Sequence, residues 1–113
     1  MTPSDYILPG LLIGFVAWRV LSPQLVRRRL PALLAQGAQV VDVRSAAEFA
    51  AGHAPGSINI PLPDIGQRAA ELDRDRPVIV CCASGSRSAI ARWRLRSKGF
   101  PRVVNAGPWT SML

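Results

Sequence analysis

Val78-Ile79-Val80-Cys81-Cys82-Ala83-Ser84-Gly85-Ser86-Arg87-Ser88 is the stretch that decides how this chain is built. A β-branched run ends in adjacent cysteines, small residues follow, and helix-forming sequence opens at Ser86. The pattern predicts a strand, a tight turn and a helix N-terminus. Successive backbone N–H groups in such a turn point inward and, with the helix dipole, form an anion cradle. A thiol at its rim loses its proton readily, because the field that holds an anion also stabilises a thiolate. Cys82 occupies that position and is the expected nucleophile. Cys81 continues the apolar run and is expected to face the core as a small hydrophobe, since adjacent strand residues point to opposite faces.

Strands and helices alternate around this unit. Residues 40–43 read as a strand, 46–50 as a helical turn, and 58–60 as a short strand ending at Pro61. Residues 64–72 read as a helix capped by Asp64. The helix over residues 86–98 stops at Gly99, with Ala89, Ile90 and Trp93 expected inward and Arg92 and Arg96 outward. Val103-Val104 forms a last strand, and residues 109–113 a last turn. The alternation predicts an α/β fold, a parallel sheet flanked by helices, in which ligands bind beyond the carboxyl ends of the strands. Cys82 follows such an end.

Upstream, residues 29–36 read as a helix with Pro31 in its first turn and Gly37 as its stop. Leu25-Val26 reads as a small edge strand, and Ser22-Pro23-Gln24 as a connector. Residues 7–21 are nearly all apolar. As a helix they span about 22 Å, against about 30 Å of bilayer hydrocarbon. Tyr6 and Trp18 lie near the two ends, as interfacial aromatics do, and Arg19 is placed to snorkel. A signal peptide would open with basic residues and close on a small-residue cleavage site, and neither is present. The alternative to a membrane helix is one packed on the domain. The sequence thus divides into a transmembrane helix, residues 1–22, and a domain, residues 23–113. Arg19 and Arg27-Arg28-Arg29 follow the apolar segment, which predicts a single-pass protein whose C-terminal domain faces the cytoplasm.

The 113 residues carry 14 Lys and Arg against 7 Asp and Glu, a formal charge of +7. Nucleic acid is not the expected partner, because the basic residues of positions 27–29 have no aromatic among them and Trp93, alone among those of positions 92–98, makes a weak stacking platform. Cysteines adjacent in sequence make no disulfide framework and suit a reducing compartment. His53 is the sole histidine and no metal-ligand spacing is present, so neither metal nor cofactor is expected.

Three motifs in register carry a family resemblance. They are Val41-Asp42-Val43-Arg44 with Glu48-Phe49, then residues 52–61 (Gly-His-Ala-Pro-Gly-Ser-Ile-Asn-Ile-Pro), then Cys82-Ala83-Ser84-Gly85-Ser86-Arg87-Ser88. In order and spacing, from about Leu25 onward, the chain resembles the rhodanese (sulfurtransferase) domain. The resemblance implies a persulfide mechanism: Cys82 takes sulfane sulfur from thiosulfate, a polysulfide or a persulfide and yields it to a thiophilic acceptor such as cyanide or a thiol. It implies that Ala83, Ser84, Gly85, Ser86 and Arg87 form the loop that cradles the sulfur and the donor's anionic part. Arg87 either holds the loop shut or pairs with the donor. Asp42 and Arg44 are implied as a structural brace, and Glu48 and His53 as structural positions near the entrance. At the end the chain departs from the pattern, with Gly107-Pro108-Trp109 where the family often has two glycines before an aromatic.

Two other readings stand beside sulfur transfer. Counted from Cys81, Cys-x5-Arg is the longer loop of related phosphatases and arsenate reductases, whose cradle holds a tetrahedral group. Counted from Cys82, Gly85 falls where the rhodanese pattern expects it. The remaining reading is a non-catalytic binding module with an unreactive Cys82.

Overall fold

The computed structural model describes residues 2–113. The apolar run is a strand without an exposed residue, β3 (Val78–Cys82), and the sheet forms around it. The other strands are β1 (Gln39–Asp42), β2 (Ile58–Asn59) and β4 (Val103–Pro108). All neighbours pair parallel, in the order β2-β1-β3-β4. Parallel strands need crossovers, supplied here by α2 (Ala46–Ala51), α3 (Ile65–Arg68, flanked by short 3-10 turns) and α4 (Ser86–Ser97). Strands buried on both faces read as near-continuous apolar runs, which is why β3 was legible and why its two cysteines separate. Val78, Val80 and Cys82 face α3 and α4 with Ile65, Leu95 and Phe100. Ile79 and Cys81 face the other way, with Leu30, Leu33 and Val104.

That second face is covered by α1, one helix from Ile7 to Ala35. The expected connector at Ser22-Pro23-Gln24, the edge strand at Leu25-Val26 and the fresh helix start at Pro31 are all absent, because Pro23 and Pro31 lie inside the helix. A proline in a helix removes one hydrogen bond and strains the turn before it, at a cost of about 3 kcal/mol. Good helix formers on both sides of each proline, and the seating of Leu30 and Leu33 on the sheet, carry α1 through. The helix is continuous through residue 22.

Helix α1 runs antiparallel to the strands. Gln36 lies beside Arg102, Leu30 and Leu33 pack against Val104 and Ala106, and residues 18–27 stand across from residues 105–108. Its N-terminal half therefore projects past the carboxyl edge of the sheet. Leu8, Leu11, Leu12, Ile13, Phe15 and Val16 are exposed there, and the helical stretch Pro3–Ala35 as a whole is long and apolar enough to cross a membrane, with nothing in its most apolar window buried.

Two further expectations need correction. Asp64 makes no capping bond, since its backbone already lies in a 3-10 turn. The inward face of α4 is Ser88, Ala91 and Leu95, whereas Ile90 and Trp93 are exposed and Ala89 with them. The expectation places the apolar members Ala89, Ile90 and Trp93 inward, whereas the 88/91/95 row, with its smaller residues, is the one that meets the sheet. Leu95→Ala is thus expected to cost about 2–5 kcal/mol and Trp93→Ala less than about 0.5 kcal/mol, read by urea unfolding of the protein in mild detergent.

Candidate active site

Strand β3 ends with Cys82 at the carboxyl edge, and the chain turns back over it into α4. Gly85 makes this turn possible. Its φ is +107°, and a Cβ there would sit 3.2 Å from the Cα of Gly107, which itself has φ of +75°. Two glycines in left-handed conformations thus meet where the loop crosses β4. On β4, the pairing with β3 shifts register between Val80 and Cys81, so Ala106 is bulged out. Such bulges re-aim neighbouring side chains, and this one lies next to Asn105.

The loop folds its donors onto the sulfur. The Gly85 amide donates to Cys82 Sγ at 2.9 Å, the Ser88 amide at 3.4 Å, and the Ser88 hydroxyl lies 3.3 Å away. Burial alone would raise the pKa of this thiol. Hydrogen bonds from the Ser88 hydroxyl and from the amides of Ser88, Gly85 and Ser84 outweigh it, and the pKa lies below its ordinary value. Cys81, one residue earlier, has no such donors. Burial, aided by the charge of Asp42, pushes it up to about 12. Both cysteines are free, and the environment separates them into a thiolate former and an inert thiol.

Ser88 and Asn105 hold this arrangement, and the sequence reading did not single out Asn105. Asn105 Oδ1 accepts from the Ser88 hydroxyl at 2.6 Å and from the Gly107 amide at 2.9 Å, while its Nδ2 donates to the Gly85 carbonyl at 3.1 Å. The Ser88 hydroxyl has one hydrogen and three acceptors in reach: Asn105, Gly85 and Cys82. With Cys82 protonated, the thiol points at Ser88 and Ser88 gives its hydrogen to Asn105. With Cys82 ionised, the sulfur competes for that hydrogen and Asn105 keeps the Gly107 donor.

Arg87 is engaged. Its guanidinium makes a two-pronged ion pair with Glu48, at 2.7 and 3.0 Å, and with Ser45 this holds the Glu48 carboxyl down at about 2. Glu48 also closes a capping box with Ser45 at the start of α2, a Ser-x-x-Glu signal that the sequence displays. The pair ties the start of α4 to α2. Asp42 and Arg44 are brought together as a buried pair, with Arg44 Nη2 2.8 Å from Asp42 Oδ2 and donating to the Gly52 carbonyl at 2.6 Å. The Arg44 guanidinium stacks on Trp109 at 4.8 Å, which accounts for the aromatic after Pro108. Asn59 donates to the carbonyls of Asp42 and Arg44. His53 donates from Nδ1 to the Phe49 carbonyl and stacks on the Phe49 ring at 3.7 Å. Of the loop residues, Ala83, Ser84 and Ser86 are exposed, and Gly85 and Arg87 half-buried.

A thiol stabilised as its anion alkylates below the pH range of an ordinary cysteine. The rate of iodoacetamide labelling at Cys82 should rise with pH through a midpoint below that of free cysteine, while Cys81 stays unlabelled in the folded protein. Ser88→Ala removes a donor to the thiolate, so the midpoint moves up, and labelling at neutral pH slows by about tenfold, since a hydrogen bond to a charged group is worth about 1.5–3 kcal/mol. Peptide mapping after labelling separates the two cysteines.

A family model described as Rhodanese-like domain matches residues 26–107. The chain is 39% identical over 66 residues to a sulfurtransferase of Allochromatium vinosum, covering 58% of this chain and 62% of that one. It is 36% identical over 85 residues to the thiosulfate sulfurtransferase GlpE of Pseudomonas aeruginosa, covering 75% and 74%. The matched region spans 40% to 62% of the length of three of the curated relatives. The solved structure of the human single-domain sulfurtransferase TSTD1 superposes with a TM-score of 0.65 at 30% identity, covering 74% of this chain and 88% of that one. The matched segment contains the parallel sheet up to Gly107 of β4 and the loop over Cys82, and the chain belongs to the rhodanese-like domain family.

Proposed function

We propose that this protein is a membrane-attached sulfurtransferase that carries sulfane sulfur as a persulfide on Cys82. The observation that carries the reading is the convergence of Gly85 N–H, Ser88 N–H and Ser88 O–H on one sulfur. Donors aimed at a sulfur anion act as an oxyanion hole does, holding the charge that the Cys82 thiolate carries before it takes up sulfur and again once the sulfur has gone. The Cys82 thiolate attacks the sulfane sulfur of a small anionic donor (thiosulfate, a polysulfide or a persulfide). The donor's S–S bond breaks with its electron pair on the leaving group, and a Cys82–S–S⁻ group remains. An acceptor thiolate then attacks the terminal sulfur and frees Cys82. No oxidant, metal or cofactor enters these steps.

Cys82 has no exposed surface, so a donor reaches its sulfur as the exposed Ala83–Ser84 side of the loop gives way, with the Gly85 and Ser88 donors kept in place. The tethers of that loop to β4 run through Asn105 and Gly107, and the Arg87–Glu48 pair fixes its far end. Arg87 on this reading shapes the loop and is not the donor's counter-charge. Ala83, Ser84 and Ser86 are the exposed residues past which the donor enters, and Asp42 with Arg44 braces the strand end beneath. The phosphatase count from Cys81 draws no support from a thiol pushed up to about 12 and turned to the opposite face.

Residues 7–21 serve as the single-pass anchor on this proposal, with the domain on the cytoplasmic side. The support is the exposed apolar helix and the arginines at 19 and 27–29 that follow it.

After thiosulfate or polysulfide treatment, intact-mass spectrometry should show one added sulfur atom on the wild type and on Cys81→Ser, and none on Cys82→Ser. A Cys82 that never takes up sulfur while the fold is intact would leave the binding-module reading. The anchor is tested separately: the full chain should stay in the membrane pellet on alkaline carbonate extraction, and release into the supernatant would remove the membrane assignment.

A further inference from the structure

The domain's own loop accounts for the sulfur but leaves a groove beside it. Because α1 runs antiparallel to the strands, its N-terminal half stands over the carboxyl edge, and a groove of about 430 Å³ opens between residues 18–27 and the 84–85 and 105–111 segments. Gly85, whose amide touches the Cys82 sulfur, lines this groove with Ser84. So do Arg19 and Arg27 from α1. Neither arginine forms a salt bridge among the described residues, and no lining residue is acidic. Ser111 also lines it, with a buried hydroxyl that has no hydrogen-bond partner among the described residues. Arg19, whose guanidinium also lies 5.9 Å from the centre of the Phe15 ring, and Arg27, neither of them in an ion pair, share one concavity with an unsatisfied hydroxyl, which describes a place for an anion.

Size and spacing narrow the ligand. The volume lies in the range of about 300–1,000 Å³ typical of organic ligand sites, far more than a bare inorganic anion fills. Arg19 and Arg27 are eight residues apart, which separates their backbones by about 12 Å along the helix. The apolar surface of Trp18, Val26 and Pro108 lies in the same groove.

We infer that the N-terminal helix completes the entrance to the active site, and that the groove receives an elongated organic persulfide bearing separated carboxylates, with Arg19 and Arg27 taking the carboxylates and Ser111 hydrogen-bonding the body. The inference rests on the Cys82 transfer reading and names its donor class. The donor's terminal sulfur passes to Cys82 as its S–S bond breaks, and the donor leaves as a thiolate held by the same arginines. The helix residues concerned lie at or outside the edge of the 26–107 family match, so donor selection here is a property of the attached helix and not of the domain alone.

The test compares two donors, glutathione persulfide and thiosulfate, with full-length protein in zwitterionic phosphatidylcholine nanodiscs. Arg19→Gln/Arg27→Gln should raise KM for glutathione persulfide about tenfold or more, as expected for losing charge-assisted bonds, with kcat held and KM for thiosulfate changed less than about twofold. Arg19→Lys/Arg27→Lys should recover part of the loss. Equal effects on both donors, or none on either, overturn the inference. So does a double variant whose sole effect is to abolish a response to added phosphatidylglycerol, which would make the groove a lipid headgroup site. If neither donor loads Cys82 in the wild type, the transfer reading itself has failed.

Discussion

A sulfur anion with no exposed surface must be stabilised by something other than water, and in this chain the backbone does it. The amides of Gly85 and Ser88 and the Ser88 hydroxyl stand where solvent would stand around a thiolate. Everything nearby serves to keep those donors aimed. Gly85 adopts a conformation other residues resist, Gly107 clears room for it, and Asn105 grips the Gly85 carbonyl from the far side. Burial raises the cost of the charge, and the donors offset it; because the donors win, Cys82 ionises readily while its neighbour does not.

The two ion pairs around this centre differ in kind. Asp42 and Arg44 are almost wholly enclosed, their side chains 0% and 6% exposed. Taking two charges out of water is costly unless further hydrogen bonds satisfy them. Here the Arg44 amide, the Gly52 carbonyl and the Trp109 ring supply them, so the pair fixes the end of β1 in one arrangement. Glu48 and Arg87 are more than a third exposed, so their attraction is screened and worth little by itself. Its effect is geometric, joining the capped start of α2 to the start of α4.

How far the sequence disclosed this follows from the range of each signal. The unit from Val78 to Ser88 was legible because strand, turn and helix start are all local. The division of Cys81 from Cys82 followed from strand alternation alone. The parallel, helix-flanked sheet followed from the order of elements. Helix α1 was misread because proline is a local stop signal, whereas its continuation past Pro23 and Pro31 depends on contacts with a sheet formed later in the chain. The buried row of α4 was misread for a related reason, since the phase of a helix is set by the turn that launches it. Asn105 gave no signal, because its partners Gly85 and Ser88 are 20 and 17 residues away. The Ser45–Glu48 capping box has a local Ser-x-x-Glu signature that the sequence reading passed over.

The opposed orientation of the neighbouring cysteines has a chemical corollary under oxidative stress. A thiolate that meets peroxide becomes a sulfenic acid, which is rescued most directly by a second thiol of the same chain. Cys81 is one peptide bond away but on the reverse side of the sheet, and protonated. Self-repair by an internal disulfide is thus closed to this protein, and rescue of an oxidised Cys82 falls to a reductant from outside.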